Sequence, residues 1–239
     1  MKLNELWVLY DADKRIQGFS THTLNAYALQ LKMLIGGIGD LEIEEITLDL
    51  LKGYLSKQSD RLKPSSLGHR VRFVRSLFRF AFEEGHISRN PALKLREPKT
   101  DKRIPKFLIE EDVIHLKISC ESPREYAMLE FLYSTGCRVG EVQKLDIEDI
   151  NLENCSAIVN GKGAKQREIY FTTECKIWIK RYLESRDDSC KALFVTETQP
   201  ARRMSIPTIR YSLKKLASRS NVAVTSTHIV FVTLTPVSY

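Results

Sequence analysis

Arg138 and Glu141 stand three residues apart behind a small-residue turn, Ser134-Thr135-Gly136-Cys137. About two dozen residues later comes a basic, glycine-punctuated run, NGKGAKQREI, with Lys162 between two glycines and Lys165 and Arg167 beside it. An arginine at a helix start, next to glycine, can offer its planar fork to two non-bridging phosphate oxygens, and an acidic residue one turn on can orient it. The same pair also reads as an ordinary surface i,i+3 couple worth a few tenths of a kcal/mol. A third basic group lies upstream. Arg72, Arg75 and Arg79 fall at i, i+3 and i+7 with Arg70 nearby, so one helix face carries them. They read either as a phosphate-binding face or as a solvated basic one. No acidic residue of that helix stands near them before Glu83.

The charge distribution favours phosphate chemistry. The chain of 239 residues has a net charge of +7, but residues 1–60 carry 6 basic and 9 acidic side chains, whereas residues 61–106 carry 13 and 4. A local excess of +9 is the footprint of a surface that meets a polyanion. No apolar run reaches the length of a membrane span, and MKLNELWVLYDADKR has acidic residues where a secretory leader would be apolar. Five widely spaced cysteines without a CxxC pair are expected to be reduced thiols of a cytoplasmic protein.

The elements that must position these groups follow from periodicity. Ser20 or Thr21 caps a helix, LNAYALQLKMLI, and IGGIGDLEIEEI reads as a glycine-punctuated turn. Thr47 opens LDLLKGYLSKQSD. Lys63-Pro64-Ser65-Ser66 opens the arginine-bearing helix, which buries Leu67, Val71, Val74, Phe78 and Ala81 and stops before Gly85 and Asn90-Pro91. REPKTDKRIPK, residues 96–106, has two prolines and no periodicity, as a linker does. Beyond it, helices are expected from Ile109 and from Pro123 to Gly136. A β-hairpin of CSAIVN and QREIYF follows, then the helix ECKIWIKRYLESR, a strand ALFVT and the basic helix SIPTIRYSLKKLASRS.

Together these residues resemble the tyrosine recombinases, the phage integrase family of the Xer type. STGCRVGEVQKLDIEDINL is similar to the family's first catalytic-arginine block, with Arg138 the arginine and Glu141 its supporting carboxylate. NGKGAKQREI is similar to its catalytic hairpin, and Lys162 takes the place of the lysine that protonates the leaving 5′ oxygen. Lys165 and Arg167 are neighbours expected to touch DNA. The helical half is similar to the core-binding, SAM-like domain through Ser20, Thr23 and Tyr27, the arginine-bearing helix, Gly85-His86-Ile87 and Asn90-Pro91-Ala92 before Pro98-Lys99.

The resemblance implies a mainly α fold with a small antiparallel β-sheet in two domains. These are a helical core-binding domain at 1–97 and an α+β catalytic domain at 107–239, joined by a basic linker at 98–106. It implies metal-free and cofactor-free phosphoryl transfer on double-stranded DNA, through a 3′-phosphotyrosyl link, by a homo-oligomer. Arg70, Arg72, Arg75 and Arg79 would bind DNA.

The pattern departs from the family after residue 227. His228 matches the first histidine of an HxLRH-like block, but Phe231 stands where the second arginine belongs, and no nucleophilic tyrosine is identifiable. HIVFVTLTPVSY back-translates, with ordinary codons, into a string whose shifted frame reads HRLRHTYASLV. The catalytic domain is therefore expected to be truncated, with 229–239 out of frame. Two functions remain open on these residues. One is a recombinase lacking part of its catalytic set; the other is a non-catalytic protein that occupies a recombination site.

Overall fold

A computed structural model describes residues 1–100, 108–161 and 166–222. The chain divides into two compact units, Met1–Arg103 and Ile104–Tyr239. Most of the expected linker, and the whole tail from residue 223 on, lie outside the described residues.

Four helices build the first unit: α1 (Leu3–Ile16), α2 (Thr21–Ile38), α3 (Leu48–Ser59) and α4 (Pro64–Glu83). α1 goes beyond the elements named from periodicity. Its Leu3, Leu6 and Tyr10 are fully buried at i, i+3 and i+7, and the Tyr10 hydroxyl meets Ser76 Oγ of α4 at 2.8 Å. Ser20 caps α2 by accepting the Thr23 N–H, and Thr47 does the same for Leu50 in α3. α4 begins on Pro64, whose missing N–H costs nothing at a helix start, and Gly85, at φ +74°, turns the chain away beyond its end. Val71, Phe73, Val74, Leu77, Phe78 and Ala81 are its buried stripe.

The glycine-punctuated turn expected at 35–46 starts later than that. α2 runs straight through Gly36 and Gly37, and only Gly39, at φ +89°, ends it. The reason is packing. A Cβ on Gly37 would stand 2.4 Å from the Tyr54 ring of α3, so this glycine is a close-approach site and not a turn residue.

The second unit contains α5 (Glu110–Ile118), α6 (Pro123–Thr135), the one-turn α7 (Val139–Val142), β1 (Ile150–Asn151), β2 (Ser156–Asn160), β3 (Gln166–Tyr170), α8 (Thr173–Glu184) and α9 (Ile206–Arg219). The strands form one antiparallel sheet in the order β1-β2-β3, with Ala157 opposite Ile169 and Val159 opposite Arg167. The fold is thus mainly helical with a small antiparallel sheet, as expected. α6 is its central element, with Ala127, Met128, Leu129, Phe131 and Leu132 all buried. Glu130, on the same helix, is also buried. Lys117 Nζ of α5 lies 2.8 Å from it, and Thr172 Oγ1 donates to it at 2.9 Å, so one carboxylate joins α5, α6 and the start of α8.

The strand expected at ALFVT does not form. Its residues Leu193, Phe194 and Val195 are buried, but the Leu193 N–H goes to Leu145 while the Phe194 carbonyl takes the Met204 N–H. The segment makes one short bridge to each of two different neighbours, Ala192 with Asp146 and Val195 with Arg203, and neither bridge extends into a ladder. Among the described residues no helix is long and apolar enough to cross a membrane.

The Gly37 contact yields a paired expectation. Gly37→Ala should destabilise the chain by about 1–3 kcal/mol, because the Tyr54 ring cannot withdraw from a packed core. Gly36→Ala meets nothing within 4 Å and should be neutral or slightly stabilising. Urea denaturation midpoints of the two variants check this; equal midpoints would refute the close-approach reading.

Candidate nucleic-acid interface

Along α4, the face opposite the buried stripe carries Arg72, Arg75 and Arg79, all exposed. With Tyr27 of α2, Ser76, Asn90 and Leu93 they line an open cleft on the first unit. Asn90 also shapes the chain there, its Oδ1 accepting the Ala92 N–H at 2.8 Å. The four arginines singled out in the sequence are not equivalent. Arg70 donates to the Tyr54 hydroxyl at 2.7 Å and is half-buried. Arg72 donates to Glu97 Oε2 at 2.8 Å and touches His69 Nδ1 at 3.0 Å. Arg75 and Arg79 make no ion pair or hydrogen bond among the described residues, so their guanidiniums keep their full charge for something else.

The second site begins where α6 stops. Gly136, at φ +62°, ends that helix in the left-handed conformation while its N–H bonds back to Leu132. The chain then reverses through buried Cys137, and Arg138 becomes the N-cap of α7. The Arg138 backbone N–H donates to Glu141 Oε2 at 2.9 Å, which fixes where the arginine leaves the backbone. Its side chain is 79% exposed, whereas that of Glu141 is 6% exposed.

Arg167 of β3 completes the group. It donates to both Glu141 oxygens, Nη1 to Oε1 at 3.0 Å and Nη2 to Oε2 at 2.9 Å, a parallel bidentate pair. Arg138 Nη1 reaches the same Oε1 only at 3.3 Å. The Arg167 hydrogen bonds, working against burial and helped by the Arg138 N–H, pull the Glu141 carboxyl down to about 2. Arg167, expected to touch DNA, turns its fork to Glu141 while its side chain remains 42% exposed. The available signal was strand parity: Arg167 lies two residues from buried Ile169, on the core-facing side of β3. Lys162, Lys165 and His228 lie outside the described residues.

A helical unit with an arginine-lined cleft, followed by an α+β unit with an arginine at a helix start and a hairpin packed beside it, defines a recognisable class. Residues 103–232 match the sequence model of the phage integrase family, and residues 14–85 match that of the phage integrase N-terminal SAM-like domain. The chain belongs to the phage integrase family, the tyrosine recombinases. It is similar to tyrosine recombinase XerA of Thermococcus onnurineus, 33% identical over 231 residues that cover 93% of this chain and 77% of the relative. It is also similar to tyrosine recombinase XerD of Haemophilus influenzae, 31% identical over 189 residues that cover 76% of this chain. The chain spans 61% of that relative's length.

Among solved structures, a lambda integrase (75–356) dimer bound to a COC′ core site shares the fold with a TM-score of 0.77 at 21% identity. The match covers 94% of this chain and 83% of the other. The Tn1549 transposon integrase in complex with a circular intermediate DNA does so with a TM-score of 0.74 at 16% identity, covering 97% and 83%.

The Glu141 cluster sets an acid dependence. A carboxyl whose folded pKa lies below its ordinary 4.5 contributes stability that is complete above about 4.5 and lost as pH falls towards 2. The shift corresponds to roughly 3 kcal/mol. Glu141→Gln should therefore flatten the acid limb of the stability curve between those values. Thermal melts across that window test it, and an unchanged acid limb would refute it.

Proposed function

We propose that this chain binds double-stranded DNA through its phosphates and belongs to a site-specific recombination system. One observation carries the DNA reading: Arg75 and Arg79 sit side by side on an exposed cleft with no acidic partner among the described residues. A buried-stripe helix that spends its solvent face on unpaired arginines, in a segment with a local excess of +9, is built to meet a polyanion. Arg138, held at its backbone and paired at its exposed guanidinium only by one long contact to Glu141, is the group we assign to the scissile phosphate, where a fork can stabilise charge that develops in the transition state. Lys162 is assigned the proton for the leaving 5′ oxygen, and Lys165 a place on the DNA backbone. His228 is assigned a supporting role at the phosphate. The lambda integrase neighbours are a dimer on a core site and a tetramer on a Holliday junction; by analogy this chain acts as a homo-oligomer on DNA, in the cytoplasm.

A second reading has its own observation. Phe231 occupies the position of the family's second arginine, which favours a chain that occupies a recombination site without cutting it.

Two measurements test DNA binding and strand cleavage in turn. Affinity for duplex DNA should fall steeply with salt, since each neutralised phosphate releases counterions. Arg75→Glu with Arg79→Glu should lower the slope of log affinity against log salt by about two. A salt-independent affinity would sink the DNA reading. On a suicide duplex, the polypeptide of these 239 residues should form no adduct that survives denaturation, because losing one charge stabiliser already costs about a hundred- to a thousand-fold in rate. A covalent species abolished by Tyr239→Phe would show the opposite.

A further inference from the structure

Glu141 serves two arginines unequally, and the inequality has a consequence for charge. A carboxylate has about four lone-pair sites. Arg167 takes one on each oxygen, at 3.0 and 2.9 Å, and the Arg138 backbone N–H takes a third at 2.9 Å. What remains for the Arg138 guanidinium is one long contact of 3.3 Å to an oxygen already in use. The carboxylate is buried at 6% exposure, Arg167 is 42% exposed and Arg138 is 79% exposed. Two cations and one anion leave one positive charge over, and the geometry puts that surplus on the residue that faces solvent.

We propose that Arg167 is a positioning residue for Arg138: by occupying both oxygens of Glu141 it stops that carboxylate from neutralising Arg138, and so leaves the Arg138 guanidinium charged for a phosphodiester. This rests on the reading of Arg138 as a phosphate ligand. Without Arg167, a buried anion would be left one residue-turn from a long, mobile, exposed arginine. The i,i+3 spacing lets Arg138 fold back and supply the missing fork. The pair would then be neutral, and the phosphate site would be gone although no residue that contacts phosphate had been changed. The opposite polarity follows from the same geometry. Once the carboxylate is removed as well, nothing draws Arg138 inward. A glutamine at this position still accepts the Arg138 N–H, so the helix start keeps its shape.

The test is a salt series of fluorescence anisotropy on the full chain with a labelled mixed-sequence duplex. Arg138→Ala should lower the log–log salt slope by about one, the share of one phosphate contact. Arg167→Met should lower it by the same amount. Arg167→Met combined with Glu141→Gln should return the slope to the starting value. Glu141→Gln alone should leave the slope no lower than in the parent chain, and it covers the case in which Arg167→Met alone fails to fold.

Several outcomes overturn the proposal. A double variant that stays one contact short means that Arg167 touches phosphate itself. An Arg167→Met chain with a lowered melting temperature but an unchanged slope means that Arg167 is only a structural strap. A slope lowered by Glu141→Gln alone means that the carboxylate holds Arg138 ready. An unchanged slope in Arg138→Ala removes the phosphate reading of Arg138 itself, and this proposal with it.

Discussion

The second unit is organised around a buried anion. Glu141 is the place where the start of α7 and the strand β3 meet, and each supplies donors that its carboxylate needs. Such a group is stable only while it is fully paired; removing one partner of a buried pair commonly costs about 3–5 kcal/mol. That constraint explains the local order of the chain. Gly136 adopts a left-handed conformation so that Arg138 can turn its N–H onto the carboxylate, and β2 pairs with β3 in the register that brings Arg167 alongside. A shift of one residue in that register would send Arg167 to the opposite face of the sheet and leave the anion unpaired.

The same economy appears at Glu130, where Lys117 and Thr172 satisfy a carboxylate that would otherwise sit alone in the core beside Phe131. The Lys117 ammonium is opposed by burial, yet its bonds to Glu130 and Glu174 outweigh this and hold it firmly protonated. In the first unit, polar groups are handled differently. There Tyr54 is the junction: its ring closes against Gly37 and its hydroxyl accepts from Arg70. Aromatic packing joins the four helices, and the charge is left outside on α4. The second unit buries carboxylates with their partners to fix a turn, whereas the first leaves Arg72, Arg75 and Arg79 in solvent.

Much of this was legible in the sequence. Pro123 and Gly136 mark the ends of α6, and the runs around residues 156–160 and 166–170 mark the hairpin strands, because proline, left-handed glycine and β-branched alternation act locally. α1 escaped because exposed Val8, Leu9 and Ile16 scatter apolar residues around the helix and blur its buried Leu3-Leu6-Tyr10 stripe. Gly36-Gly37 misled because a glycine needed for helix contact looks the same as a glycine needed for a turn. ALFVT misled because burial on both sides mimics a strand whether or not a ladder partner exists. The Arg138–Glu141 pair was readable from spacing; for Arg167, strand parity gave the direction but not the partner, which lies 26 residues away across a hairpin.

That last difference bears on how a basic sequence should be interpreted. Net charge counts every arginine alike, yet Arg72, Arg167, Arg186, Arg203 and Arg219 each hold an acidic partner within the fold. Their charge is spent on Glu97, Glu141, Asp188, Asp146 and the Glu121–Glu125 pair respectively. What an incoming polyanion meets is the remainder, and the remainder is set by tertiary contacts that bring carboxylates to some arginines and withhold them from others. Among the described residues, the acidic side chain that reaches this face of α4, Glu97, is taken by Arg72, and none pairs with Arg75 or Arg79. Arg138 stands nearly free for a subtler reason, because its natural partner is already occupied. In this chain the basic surface is therefore as much a product of where the carboxylates are held as of where the arginines are placed.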